Sequence, residues 1–167
     1  KNATVLQEDF LTNMFGCTSI PLDANSQRNA FNRLIIDTLG TDCSYNIIKN
    51  IHEILNDKIE EFKDTPEPLE IGKQDILQLF EDSGVPNSRI ENFDQTYDET
   101  IGQHTTLLAT NITNPKNFNI ETPDVVVKVN PEATDLVETQ VINGRQCLVI
   151  AINDHLEVNG IDVLSAK

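Results

Sequence analysis

The chain has 167 residues, 38% apolar and 23% charged, enough for a buried core and too apolar for a disordered segment. Twelve basic against 27 acidic residues leave a net charge of −15, with the acids spread along the chain and no cluster of Lys and Arg. Phosphate backbones bind through clustered cations, so nucleic acid is a poor partner, and anionic membrane surfaces are excluded on the same ground.

Residues 1–15 carry Val5, Leu6, Phe10, Leu11, Met14 and Phe15, a stripe that predicts a helix. A second helix is expected over 25–39, with Phe31, Leu34, Ile35 and Leu39 on one face and Gly40 as its stop. Ser44 caps a third, in which Ile48, Ile51, Leu55, Ile59 and Phe62 step by three and four. Lys49, Glu53, Asp57, Lys58 and Glu60 form its opposite face, read as solvated. Thr65-Pro66-Glu67-Pro68 ends it, because proline lacks an amide donor and restricts its predecessor. Shorter helices are expected over about 73–83 and 87–101, joined by Ser83-Gly84-Val85-Pro86.

From Leu107 the apolar period changes to two. Leu108, Thr110 and Ile112 predict one strand, Phe118 and Ile120 another, and Val125, Val127 and Val129 a third. Asn143-Gly144 and Asn159-Gly160 each sit between alternating apolar residues and predict two-residue hairpin loops, which need positive φ at both positions. Pairing across the first loop sets Ile142 against Arg145 and Val137 against Ile150. Val137, Thr139, Val141, Leu148, Ile150 and Ile152 then share a face that is expected to pack on a core. The second loop sets Glu157 against Asp162, a like-charge pair on an outer edge. The fold class read from this pattern is α+β: an N-terminal helical region of about five helices over 1–104, then a mostly antiparallel β-meander over 105–167 with two Asn-Gly hairpins. The two regions form one composite domain or two small ones.

No catalytic constellation emerges. His52-Glu53 resembles half of a zinc-peptidase helix, but Asn56 stands where the second histidine belongs. His104 and His155 have no ligand set in the sequence and read as surface histidines. Phosphate loops, nucleophile elbows and dinucleotide fingerprints are absent, so neither a cofactor nor a catalytic residue is assigned. Glu157 and Asp162 are the candidate cation ligands, with edge protection as the alternative reading. Cys17, Cys43 and Cys147 are odd in number and far apart; Cys43 and Cys147 read as small hydrophobes. Asn2-Ala3-Thr4 and Asn111-Ile112-Thr113 match the glycosylation pattern. The start, Lys1-Asn2-Ala3-Thr4, has neither an initiator Met nor a signal core, so an excised piece of a cytoplasmic protein is expected.

Several stretches carry a family resemblance: 123–131, 135–139, Asn143-Gly144-Arg145, Cys147-Leu148-Val149-Ile150 and Glu157-Val158-Asn159-Gly160-Ile161, with Asp37-Thr38-Leu39-Gly40, Asn50-Ile51-His52-Glu53 and Asp82-Ser83-Gly84-Val85 upstream. Together they resemble a domain-of-unknown-function family of clostridial-type Gram-positive bacteria, as the C-terminal part of a longer protein. The resemblance implies a bacterial, cytoplasmic origin and transfers no functional residue. Three functions remain open: a non-catalytic protein-interaction or regulatory module, part of an enzyme with His52 and carboxylates as candidates, or a self-associating structural domain. An exposed apolar patch favours the first and third. Converging carboxylates in a deep pocket favour the second.

Overall fold

The computed structural model describes residues 22–163, so the helix expected over 1–15 and Cys17 lie outside the described residues. The fold is α+β. Helix α1 (Ala24–Leu39) begins at Asp23, whose carboxylate accepts the Asn25 and Ser26 amides at 2.9 and 3.0 Å. It ends at Gly40, which sits at φ 51 and ψ −120 and opens a 3₁₀ turn over Gly40–Asp42. Helix α2 (Tyr45–Glu61) is capped by Ser44 and buries Ile51 and Leu55 completely. Phe62, expected in its apolar stripe, is instead the residue that ends the helix, and it is exposed.

Strand β1 (Glu70–Ile71) leads into α3 (Lys73–Asp82). Gly84 then takes φ 87, Val85 donates to the Phe80 carbonyl and Gly84 to that of Glu81. This is a Schellman closure with Val85 tucked into the core. The single helix expected over 87–101 is two: α4 (Asn87–Ile90) and α5 (Phe93–Thr100). Asn92, at φ −106 and ψ 19, leaves the helical region between them. Asparagine is a weak helix former and tolerates such non-helical geometry. The restart turns Phe93 and Tyr97 inward, where Phe93 meets Phe80 edge-on at 5.5 Å.

The strand expected through Leu108, Thr110 and Ile112 is also different. Only Leu107–Leu108 is extended (β2), paired antiparallel with β1. Ala109–Ile112 is one helical turn, α6, and it buries Ala109 and Ile112 three positions apart. The apolar step of three from Ala109 to Ile112 is helical, in place of the strand period of two expected through Leu108, Thr110 and Ile112. All seventeen members of the buried cluster lie between Phe31 and Ile112. At about 1.5–3 kcal/mol for each large side chain removed from water, this helical part holds the fold.

The strands are expected from the sequence to form one mostly antiparallel meander. The strands instead pair two by two, β1 with β2, β3 (Phe118–Glu121) with β4 (Val126–Val129), β5 (Val137–Ile142) with β6 (Arg145–Ile150), and β7 (Leu156–Val158) with β8 (Ile161–Val163). A kinked 3₁₀ segment, Pro131–Leu136, links β4 to β5. In β5–β6, Ile142 faces Arg145 and Val137 faces Ile150, with Asn143 and Gly144 at φ 51 and 76. In β7–β8, Asn159 and Gly160 take φ 51 and 82.

The face expected to pack on a core is covered only at its base. Val137 is buried and Thr139 and Leu148 are half-buried, but Val141 is 75% exposed and Ile150 and Ile152 about half exposed. In the second hairpin Leu156, Val158, Ile161 and Val163 are all exposed, Ile161 at 69%. Alternation shows that side chains share a face; it does not show that anything covers that face.

Candidate functional site

Helix α2 carries the side chains that organise the rest. Its apolar stripe faces the core; of the opposite face, read as solvated, Asp57 and Glu60 are exposed, whereas Lys49 and Glu53 are half-buried and engaged. Tyr45 packs edge-on against Phe118 of β3 at 6.2 Å and donates to the Val137 carbonyl at 3.4 Å. Glu53 accepts the Thr134 hydroxyl and lies 3.6 Å from Lys49.

The most developed polar arrangement surrounds His52. Its ring is half-buried and meets Phe118 edge-on at 6.1 Å. Nδ1 lies 2.9 Å from the hydroxyl of Thr113, which donates to Asn56 Oδ1 at 3.2 Å. A hydroxyl that donates to Asn56 accepts from His52, so this network assigns the proton to Nδ1 and the lone pair to Nε2. Burial holds the His52 pKa below its ordinary value, which favours that neutral ring. Asn56, the residue that broke the zinc-peptidase pattern, thus closes a relay instead.

His52, Asn56 and Thr113 line a cleft of about 250 Å³, floored by Ile48, Ile112 and Phe118 and rimmed by Arg28, Asn32, Asn114, Asn117 and Asn119. Arg28 is steadied by a hydrogen bond from Nε to the Asn111 carbonyl at 3.3 Å. None of these residues is acidic, in a chain with 27 acids. The cleft can offer amides, one guanidinium and one unprotonated ring nitrogen; among the described residues it holds no carboxylate for acid–base work. A second cleft, of about 490 Å³, runs between α2 and the 3₁₀ segment and gathers Glu53, Asp57, Glu60, Glu132 and Asp135. The last four are exposed.

Glu157 and Asp162 face one another across β7–β8, and His155 joins them, the three offering atoms within 4.8 Å. The sequence offers no ligand set for His155, and the structure brings it beside these two acids. All three are exposed, and His155 also stands 3.3 Å from Asp154. Such groups keep their own water shells and hold a divalent ion loosely. His104 is exposed. Cys43 is exposed and Cys147 half-buried, so only Cys147 has the partly covered setting of a small hydrophobe. The pattern Asn111-Ile112-Thr113 has its threonine 3% exposed. Thr113 was missed as a site residue because its partner lies 61 positions away and no local motif marks it.

The chain is therefore an α+β protein with a helical core, a polar cleft whose lining has no acidic residue, and partly uncovered hairpins. It belongs to the family described as Domain of unknown function (DUF4317), which matches residues 1–161. No curated protein and no solved structure matches it. Among the described residues, no helix is long and apolar enough to cross a membrane.

Proposed function

We propose that this chain is a non-catalytic protein-interaction module of a bacterial cytoplasmic protein, and that hairpin β5–β6 is its contact face. One observation carries the reading: Val141 and Ile150 are exposed on one face of a two-stranded ladder that has no further strand beside it among the described residues, Ile152 is exposed just beyond β6, and Ile142 is exposed on the other face. An isolated hairpin is marginal in water, and contiguous exposed aliphatic surface marks a contact. Photo-crosslinking from position 141 in the intact protein tests it, with exposed Asp94 of α5 as the control position. Adducts with a defined protein, or with another copy of this chain, are expected from 141 and not from 94. Equal labelling from both, or none from 141, overturns the reading.

The His52–Thr113–Asn56 relay favours a second reading, a small-ligand or catalytic cleft completed by a neighbouring region. A compound panel that raises the melting temperature of the wild-type chain, and fails to do so for His52→Gln, supports it. Equal shifts in both proteins refute it.

A further inference from the structure

Resting on the interaction-module reading, we propose that the occupant of the hairpin is a second copy of this chain, with β6 of each copy paired antiparallel to form one four-stranded sheet. The direction of the peptide groups identifies the edge. Ile142 and Arg145 flank a two-residue loop and so form a hydrogen-bonded pair. Every second pair along the ladder repeats this, through Gln140–Cys147 and Glu138–Val149, and the Ala151 amide continues it to the Leu136 carbonyl at 2.8 Å. The peptide groups of Val137, Thr139 and Val141 on β5, and of Gln146, Leu148 and Ile150 on β6, therefore point outward.

Among the described residues the start of the β5 edge is already occupied, since the Val137 carbonyl accepts from Tyr45 of α2. Among the described residues the β6 edge has no such cover. It also lacks the usual defences, with no proline, lysine or bulge in Arg145–Ile150.

Charge selects the occupant. Residues 137–153 hold one acid, Glu138, and one base, Arg145, in a chain of net charge −15. Copies of so acidic a chain repel each other over most of their surface and can approach where the charge cancels. A basic partner would find its complement elsewhere, in the acidic cleft beside α2. With Leu148 on the two-fold axis, Leu148 faces Leu148, Gln146 faces Ile150 and Arg145 faces Ala151. Each outward amide and carbonyl of β6 then finds a mate, and no like charges oppose each other. Centring on Cys147 instead would leave Ile150 opposite Gly144, so the Leu148 register pairs more of the strand. Because the same edge is used twice and the β5 edge begins against α2, the assembly closes at two copies and does not grow into a filament.

Sedimentation equilibrium with a charge swap tests this. Position 146 faces position 150 of the other copy, so Gln146→Lys with Ile150→Lys sets lysine against lysine, and Gln146→Glu with Ile150→Glu sets acid against acid. Both positions are exposed, and unchanged thermal unfolding of the core verifies that each variant folds. The wild type is expected to approach twice its 18.7 kDa mass as concentration rises. Each variant alone should stay at 18.7 kDa, and an equimolar mixture should recover the dimer. A wild type that remains monomeric, variants that still dimerise, or a mixture that stays monomeric each overturns the proposal. Crosslinks from position 141 to a different protein, with a monomeric wild type, would sink the second copy while leaving the interaction module standing.

Discussion

Thr113→Val replaces the central hydroxyl of the relay with a methyl group of nearly the same shape. Thr113 is 3% exposed, so the space is filled in both proteins and no cavity term arises. Two groups lose their partner: the ring N–H of His52, 2.9 Å away, and Oδ1 of Asn56, at 3.2 Å. An unsatisfied buried polar group costs about 1–3 kcal/mol. His52 and Asn56 are only half-buried and recover some hydration. The added methyl returns about 0.8 kcal/mol, so the net loss should be about 1–2 kcal/mol. For a chain of this length that lowers the melting temperature by about 2–8 °C. Urea unfolding measures the loss, and NMR titration of the His52 ring supplies an independent readout. Losing an acceptor for Nδ1–H disfavours the charged ring, so its pKa should fall further below the ordinary histidine value. Thr113→Ser keeps the hydroxyl and should leave that pKa where it is. A Thr113→Val protein with wild-type stability and an unmoved ring titration would refute the relay. A serine variant that shifts the ring as far as valine does would refute it equally.

The lowered His52 pKa makes stability depend on pH in one direction. The unfolded chain takes up the proton first, near pH 6.5, so the stabilisation is complete above that value and is lost as pH falls toward the lowered folded pKa. His52→Gln should flatten that part of the stability profile, and a slope identical to the wild type would contradict the assignment. Glycine substitutions should rank by space: Gly84→Ala meets nothing within 4 Å and costs about 1–2 kcal/mol for its positive φ. Gly102→Ala, at φ 117 with Thr105 Oγ1 at 2.9 Å from the new Cβ, should shift the urea midpoint further. Asp162→Asn removes the like-charge pair with Glu157 and should slow amide exchange in β7–β8 by about 0.2–1 kcal/mol of local stability. Faster exchange in that variant would show that the acids hold the hairpin together, for instance through a shared cation.

What could be read from the sequence was local. The α2 stripe steps by three and four without a break, and Ser83-Gly84-Val85 carries its own closure, with Gly84 at φ 87 and Val85 on the Phe80 carbonyl. The relay could not be read that way. His52 and Thr113 are 61 residues apart, and no local motif ties one to the other. The same limit explains β2 and α6. Leu107, Ala109 and Ile112 are buried by the helices around them, and a three-residue step is visible only once those neighbours are in place. Asn92 shows the converse, since a local preference broke a helix whose apolar spacing alone predicted continuity.

The division between helical core and hairpins gives the exposed aliphatic side chains their meaning. A chain that needed its strands for stability would bury them, because each large side chain removed from water contributes about 1.5–3 kcal/mol. Here the buried cluster is complete by Ile112, and the strand region is held to it by particular contacts on the outer row of α2. Tyr45 fixes Phe118 and the first residue of β5, His52 packs on the same phenyl ring, and Glu53 holds Thr134 of the 3₁₀ segment. These contacts position the base of β5–β6 and leave its far end, at Val141 and Ile142, in solvent. Aliphatic residues at such a tip add nothing to folding and carry a risk of aggregation. Pairing of β6 between copies leaves Val141 and Ile142 on the outer strand, so what association completes is the outward amides and carbonyls of β6 and the strand beside Ile150, on a net-neutral hairpin of a strongly acidic chain.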